Sequence, residues 1–135
     1  MSDVFERLAA PVMETFAEAL DAAYQKVRAK VLSKQHDYGH SNILKGGEPG
    51  LVLRENDKME RLWNLVWVPL VEGRGPAEPQ NEAIEDTWID IAGYALIALM
   101  LKERLPDGRS SFELPLVPED NAQDDAVAVA EIVVL

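Results

Sequence analysis

The spacing of apolar positions along the chain predicts three long helices. Within residues 4–32, apolar side chains recur every three or four positions, as at Met13, Leu20 and Val31. This is the period of one helical face. Pro11 predicts a bend near the start of this first helix.

The second and third predicted helices lie later in the chain. Residues 56–70 divide into an apolar side and a charged side, which is an amphipathic pattern. The third helix is expected to begin after Asn81, a good N-cap residue, and to end near residue 104. Its later part, residues 91–101, has no charged side chain, which is typical of the central helix of a bundle. We therefore expect an all-α bundle of about three long helices.

Two segments are expected outside these helices. Residues 36–51 contain four glycines and one proline, and such turn residues predict an ordered loop. Residues 107–135 contain seven acids and one base, and so carry −6 of the net charge of −11. Alternation at Val127 and Val129 predicts a short strand or extended arm there. We divide the chain into a helical domain, residues 1–106, and an extended acidic tail suited to bridging subunits.

Composition excludes several classes of function. Cysteine is absent, which removes disulfides, a thiolate nucleophile and thiolate zinc sites. The negative net charge is unsuited to nucleic-acid polymers, because phosphate contacts need a basic surface. No apolar run is long enough to span a bilayer, and Asp3 and Glu6 stand where a signal peptide has basic residues. We therefore expect a cytoplasmic protein without membrane association. The third helix is too apolar for two neighbours to cover, which predicts a homodimer or homotetramer.

Acidic side chains form two stripes on the predicted helices. Asp57 and Glu60 share a face of the second helix. Glu82, Asp86 and Asp90 recur every four residues along one face of the third helix. Neighbouring carboxylates repel one another unless hard divalent cations lie between them, and such cations serve phosphate chemistry. The pattern predicts a metal-dependent enzyme acting on a phosphate compound, with residues 1–106 as its catalytic domain.

Simpler explanations exist for some of these acids. Asp57 and Glu60 also have the spacing of a capping box, and Glu82 and Glu85 in a first turn complement the helix dipole. Asp90 differs because it lies nearly three turns inside the third helix, beside the uncharged segment. A carboxylate there is expected to be buried, where it needs a partner or a metal.

Basic and polar residues accompany the acids. Lys58 and Arg61 on the second helix, with Lys45 and Arg54 before it, are suited to holding a triphosphate. Arg61 is equally suited to an ion pair with Asp57, one turn away.

Polar residues further along these helices have two interpretations. Asn64 and Tyr94 continue the polar stripes and are candidates for sugar or base contacts, or for satisfied polar groups of the core. His36 and His40 have a spacing seen in zinc sites, but no third ligand is evident.

Three segments resemble a known family. Asp-Lys-Met-Glu-Arg-Leu, residues 57–62, and Glu-Asp-Thr-Trp-Ile-Asp-Ile-Ala-Gly-Tyr, residues 85–94, are similar to the MazG-like all-α nucleoside triphosphate pyrophosphohydrolases. Tyr-Gly-His-Ser-Asn-Ile-Leu, residues 38–44, resembles more closely a bacteriophage branch of this family that is linked to DNA-base modification. This resemblance implies that the protein acts in the cytoplasm of the host cell. The resemblance covers residues 38–101.

The family pattern is Glu-x-x-Glu on one helix and Glu-x-x-Asp on the next. Asp57 and Glu60 stand at the first two positions, and Asp90 stands at the last. Thr87 occupies the remaining acidic position, so Asp86 would have to substitute from the same face.

The resemblance implies cleavage of a nucleoside or deoxynucleoside triphosphate into a monophosphate and pyrophosphate, with two or three Mg²⁺ or Mn²⁺ ions. A purine nucleotide, dGTP or GTP, is the leading substrate. Glu60 is assigned as general base, with Lys58 and Arg61 stabilising charge on the phosphoryl oxygens. The expected metal ligands are Asp57, Glu60, Asp86 and Asp90, with Glu82 and Glu85 in reserve. The expected substrate-binding residues are Tyr38, Asn42, Lys45, Arg54, Lys58, Arg61, Asn64 and Tyr94.

Two other classes of protein fit part of the pattern. A non-catalytic helical binding or inhibitory protein would present the acids to a basic partner, and it predicts no metal-dependent activity. A carboxylate-bridged di-iron bundle needs Glu-x-x-His pairs, and neither histidine lies on the acidic helices.

Overall fold

Helices make up most of the part of the chain that the structure, a computed structural model, describes: residues 12–116 and residue 118. The α-helices are α1 Phe16–Tyr38, α2 Ser41–Leu62, α3 Val68–Val71 and α4 Ile84–Lys102. A π-helical segment, Trp63–Trp67, joins α2 to α3, and a 3₁₀-helix covers Ser111–Glu113. The described residues contain no β-strand, which confirms the all-α class.

Helix α1 is longer at its C-terminal end than the sequence pattern predicts. The Thr15 side chain caps it by accepting a hydrogen bond from the Glu18 backbone N–H at 3.1 Å. The helix passes the predicted end at residue 32 and stops at Gly39, whose φ of 68° favours glycine. Residues 4–11, including the predicted bend at Pro11, lie outside the described residues.

The prediction of a loop over residues 36–51 is wrong, because α2 occupies most of this segment. The helix is interrupted at Gly47, where φ is 58° and ψ is −153°. Pro49 lies in the first turn after this break, where its missing N–H is no loss. Ile43 and Leu51 are buried on either side of the break, so apolar burial outweighs the turn preference of the glycines.

The second predicted helix is present, as the last part of a longer helical run. The run passes from α2 through the π-helical segment and ends at Val71, with Pro69 buried inside α3. A π-helical turn holds one extra residue and is frequent at functional sites.

Helix α4 is the central helix, as predicted, since α1, α2 and the 3₁₀-helix all pack against it. It begins at Ile84, and Asn81 is not its N-cap. Gly93 allows α1 to approach closely, because a Cβ atom there would lie 3.1 Å from Cγ2 of Val31. Around this contact lies a small buried core that consists of Ile43, Leu51, Ile97 and Phe112.

The start of the predicted acidic tail packs on the helices. The hydroxyls of Ser110 and Ser111 donate to the carbonyl oxygen of Met100 at 2.8 and 2.9 Å, which places Phe112 in the core. The strand predicted around Val127 and Val129 lies outside the described residues. None of the described helices has the length and apolarity needed to cross a membrane.

Candidate functional site

Asp90 is the buried centre of the candidate site. It lies on the face of α4 that meets α1 and α2, and only 5% of its surface is exposed. This burial confirms the expectation drawn from its place beside the uncharged segment. A buried carboxylate requires compensating charge or hydrogen bonds.

Two lysines from different helices supply that compensation. Lys34 of α1 places its Nζ 3.0 Å from Oδ1 of Asp90, and Lys58 of α2 places its Nζ 2.8 Å from Oδ2. Lys58 also lies 3.3 Å from Oε1 of Glu82. Each oxygen of Asp90 therefore has one ammonium partner.

Opposing effects set the pKa values in this cluster. Burial favours the neutral acid, but hydrogen bonds and charges from Lys58 and Lys34 outweigh it and lower the pKa of Asp90. Burial also works against the ammonium of Lys58, yet Asp90 and Glu82 raise the pKa of Lys58. Asp90 and Lys58 are therefore both charged at neutral pH.

Glu55 is a second carboxylate near Asp90, and one of its oxygens is unsatisfied. Its Oε1 is buried and has no hydrogen-bond partner among the described residues. Burial, followed by the negative charge of Asp90, raises the pKa of Glu55. Glu55 lies on α2 one turn before Lys58, so both project towards α4. A buried carboxylate oxygen without a partner is costly, and a cation would satisfy it.

Arg61 is fixed against the N-terminal part of α4. Its Nη1 donates to Oγ1 of Thr87, which is fully buried, and its Nη2 donates to the carbonyl oxygen of Glu82. The guanidinium of Arg61 makes these two hydrogen bonds and does not pair with Asp57, the alternative expected from the sequence. Thr87 stands where the Glu-x-x-Asp pattern of MazG-like enzymes has its glutamate, and here it accepts a hydrogen bond from Arg61.

A cavity of about 240 Å³ opens beside Asp90, between α1, α2 and α4. Val31, Ile43 and Ile97 provide apolar lining. The polar and basic residues of its wall are Lys30, Lys34, Gln35, Tyr38, Asn42, Arg54, Asp90 and Tyr94. The cavity wall thus combines apolar side chains with three cations, Lys30, Lys34 and Arg54.

Tyr94 is the aromatic centre of this wall. Nζ of Lys34 lies 5.6 Å from the centroid of its ring, and Cζ of Arg54 lies 5.9 Å from it. Cations at this distance from an aromatic ring are attracted by its π electrons. Arg54 and Lys30 have no ion pair within residues 12–116 and 118, so their charges remain available to an anion.

The predicted metal ligands are not gathered into one group. Asp57 and Glu60 are exposed on α2, while Asp86 is half-buried on α4. Among the described residues, no three acidic or histidine side chains come close enough to hold a metal ion. Asp57 and Glu60 lie in the C-terminal part of α2, far from its N-terminus, which excludes the capping-box explanation for them.

The reserve ligands and the histidines have other partners. Glu85 lies in the first turn of α4 and pairs with Lys26 of α1 at 2.9 Å. Nδ1 of His36 is 3.2 Å from Oδ1 of Asp37. Nδ1 of His40 is 2.8 Å from Nε2 of Gln35. The structure therefore gives the two histidines separate partners.

Half of the predicted substrate-binding set lines the cavity. Tyr38, Asn42, Arg54 and Tyr94 are there, while Lys58 and Arg61 lie beside Asp90 and Thr87. Lys45 and Asn64 are exposed and are not part of the cavity wall.

Sequence reasoning missed Lys30, Lys34, Gln35 and Glu55. The first three lie in the last turns of α1, whose predicted end at residue 32 left most of them outside the helix. Glu55 had a usable signal, because it shares a helical face with Leu51, Lys58 and Leu62.

Comparisons with protein-family models, with curated proteins and with solved structures found no match to the chain. The similarity to MazG-like enzymes therefore remains a prediction from residues 38–101.

Proposed function

We propose that this protein is a metal-dependent pyrophosphohydrolase that cleaves a nucleoside triphosphate to a monophosphate and pyrophosphate. One observation carries the proposal: a buried carboxylate, three cations and a tyrosine ring face one cavity between three helices. Two of the three segments similar to MazG-like enzymes, residues 38–44 and 85–94, contribute residues to the wall of this cavity.

The cavity suits part of a nucleotide. Its volume of about 240 Å³ lies below the roughly 300–1,000 Å³ of typical ligand pockets, so a whole triphosphate would extend beyond it. The apolar lining and the Tyr94 ring suit a base, and Lys30, Lys34 and Arg54 suit phosphate groups. A purine deoxynucleotide or ribonucleotide, dGTP or GTP, is the leading substrate because of the motif similarity.

Glu55 provides the observation that supports a divalent cation here. The unpartnered oxygen of Glu55 and the nearby charge of Asp90 provide hard oxygen donors, with Asp86 one turn before Asp90 on α4. Mg²⁺ or Mn²⁺, when bound, supplies the Lewis acidity that phosphoryl transfer needs. We propose Glu55 as a ligand beside Asp86 and Asp90, whereas the predicted ligands Asp57 and Glu60 are exposed on α2 and are not gathered with them.

The remaining residues have roles that follow from their positions. Lys58 and Arg61, held beside Asp90 and Thr87, would stabilise negative charge that develops on the phosphoryl oxygens. Glu60, the predicted general base, is exposed on α2 and does not line the cavity, so its role stays a prediction from the motif. Tyr94 would orient the nucleotide between Lys34 and Arg54.

A product assay tests the proposal directly. The purified protein is incubated with each common ribonucleoside and deoxynucleoside triphosphate, with Mg²⁺, with Mn²⁺ and with excess chelator. Pyrophosphate and orthophosphate are quantified separately. We expect metal-dependent pyrophosphate release, fastest with a purine nucleotide. Orthophosphate as the sole product, or equal activity in chelator, would overturn the proposal.

A non-catalytic binding role is the second candidate. The observation that favours it is that two lysines already neutralise Asp90, while the described acids form no group of three. Such a protein would present Asp57 and Glu60 to a basic partner and would give no turnover in the same assay.

A further inference from the structure

The cavity beside Asp90 is positively charged in a protein that is acidic overall. Its charged wall residues are three cations, Lys30, Lys34 and Arg54, and one carboxylate, Asp90. The wall therefore carries a net charge of +2, against −11 for the whole chain. A local excess of the opposite sign attracts small anions to the place where it is found.

The negative charge of Asp90 is already offset and leaves the other cations free for an anion. Nζ of Lys34 lies 3.0 Å from Oδ1 of Asp90, and Nζ of Lys58 lies 2.8 Å from Oδ2. An ammonium has three N–H donors, and Asp90 is the only hydrogen-bond partner of the Lys34 ammonium in the part of the chain that the structure describes. Lys34 can therefore hold Asp90 and donate to an anion at the same time. Lys30 and Arg54 form no ion pair with any described residue.

The rest of the wall suits a flat aromatic group. Its larger apolar side chains are Val31, Ile43, Ile89 and Ile97. The ring of Tyr94 lies between these side chains and the cations, with its centroid 5.6 Å from Nζ of Lys34 and 5.9 Å from Cζ of Arg54. Aromatic rings pack well on such surfaces. A volume of about 240 Å³ favours a compact ligand with a single phosphate group over one with a chain of phosphates.

We propose that this cavity binds an aromatic phosphate monoester, and that it does so without a metal ion. A phosphate monoester carries about −1.5 to −2 charges at pH 7 and offers three acceptor oxygens, which matches the +2 of the wall. Lys34 and Arg54 hold the phosphate, and Lys30, one turn before Lys34 on α1, adds its charge. The aromatic ring of the ligand lies against Tyr94 and the apolar side chains.

This binding goes beyond the proposed hydrolysis, because it requires neither a metal nor turnover. A nucleoside monophosphate, the product of the proposed reaction, is one member of the ligand class. Other planar rings that carry one phosphate group are further members. A sulfate ester has the same shape around its anionic group but only one charge, so it is a poorer match to the wall.

Calorimetry on the full chain, in buffer with EDTA, tests the site. The probes are 1-naphthyl phosphate, 1-naphthyl sulfate, inorganic phosphate and GMP. We expect 1-naphthyl phosphate to bind. The sulfate ester, which lacks one charge, and inorganic phosphate, which lacks the ring, should each bind about tenfold more weakly or worse. Replacing EDTA with Mg²⁺ should change the affinity for 1-naphthyl phosphate by less than about twofold.

Arg54→Gln identifies the cavity as the binding place. It removes a cation with no ion pair among the described residues, so the affinity for 1-naphthyl phosphate should fall about tenfold or more. Arg28→Gln is the matched control. Arg28 is exposed on α1 and is not part of the cavity wall, and because salt screens exposed charges at a distance, the affinity should stay within about twofold of the wild-type value. Circular dichroism checks folding. If Arg54→Gln is unfolded, Lys30→Gln, at an exposed residue of the same wall, must show the loss.

The outcomes separate this inference from the proposed function. It is overturned if 1-naphthyl phosphate does not bind at millimolar concentration, binds only with Mg²⁺, binds no better than the sulfate ester, or binds Arg54→Gln as tightly as wild type. GMP distinguishes the members of the class: tighter binding than 1-naphthyl phosphate assigns the cavity to nucleotides, and weaker binding assigns it to other aromatic phosphates. Pyrophosphate release by the wild-type protein decides the proposed function separately, since the titrations in EDTA involve no turnover.

Discussion

Nζ of Lys58 lies 2.8 Å from Oδ2 of Asp90, and this contact joins α2 to the buried face of α4. The same carboxylate receives Lys34 from α1. One side chain therefore connects three helices and also forms part of the cavity wall. Substitutions of Asp90 should affect packing and function together, and the two effects can be measured separately.

Asp90→Asn should abolish turnover in a protein that still folds. Asparagine keeps the volume but removes the charge that the proposed metal needs, and changes in outer-shell groups alone cost roughly 10- to 100-fold. It also leaves Lys34 without a carboxylate partner among the described residues and Lys58 with Glu82 alone, so the free energy of unfolding should fall by about 1–3 kcal/mol.

Pyrophosphate kinetics, Mn²⁺ titration and urea unfolding check these effects. Asp37→Asn, at an exposed acid of α1, is the control and should behave like the wild-type protein. Near-wild-type activity in folded Asp90→Asn would remove the main support for the metal assignment.

Stability should depend on Asp90 in acid. Its folded pKa lies below the ordinary value of 3.8. Its stabilising contribution is therefore fully present above the unfolded pKa and is lost as the pH falls through the folded pKa. The difference in unfolding free energy between wild type and Asp90→Asn should be constant from about pH 7 to 5 and shrink below about pH 4. Urea unfolding at each pH measures it, and a difference that does not shrink as the pH falls below about 4 would contradict the ion-pair account.

Glu55→Gln should stabilise the metal-free protein at neutral pH. Burial and the charge of Asp90 raise the folded pKa of Glu55 above 4.5. Below pH 4.5 the two states are both protonated. As the pH rises the unfolded state loses its proton first, and stability declines. Glutamine removes this penalty, so the melting temperature at pH 7 should increase.

Added Mn²⁺ gives Glu55 a second readout. A ligand that binds the folded state raises the melting temperature, and this rise should be smaller in Glu55→Gln than in the wild-type protein. A variant that is less stable than wild type without metal, yet equally stabilised by Mn²⁺, would show that Glu55 is not a metal ligand.

The predicted homodimer or homotetramer would cover exposed apolar side chains of α1. Phe16, which is 85% exposed, continues with Leu20 and Tyr24 the helical face on which Val27 and Val31 approach α4. Light scattering at micromolar concentration should show an oligomer.

A charge on this face should disrupt the oligomer. Phe16→Glu is expected to lower the measured mass, while Gln25→Glu, on the opposite side of α1, should not. A monomeric wild-type protein would refute the predicted assembly.

Much of the helical content was predictable because its apolar spacing is strong. Helix α4 was found nearly to its ends, since residues 91–101 have no charge and need burial. The N-terminal part of α2 was missed because Gly46, Gly47 and Gly50 prefer turns locally. The segment is helical because Ile43 and Leu51 are buried against other helices in the folded protein. The turn preference of the glycines does not report on that burial.

The part of the site that could be predicted is the part that depends on one residue and its neighbours in sequence. Asp90 could be assigned to the interior from its neighbours in sequence. Lys34 could not be assigned to Asp90, because the pair is 56 residues apart and meets only when α1 packs beside Gly93. The outward position of Asp57 and Glu60 depends on how α2 is rotated against α4, which spacing within α2 does not determine.

Helix α1, all of whose 23 residues are described, contains no fully buried side chain. Its attachment to α4 relies on the partly buried Val27 and Val31 and on two ion pairs, Lys26 with Glu85 and Lys34 with Asp90. Ionic strength screens charges in water far more than charges that are partly buried. Added salt therefore weakens the Lys26 contact first, so α1 should loosen from its N-terminal half while the end that carries Lys34 stays attached.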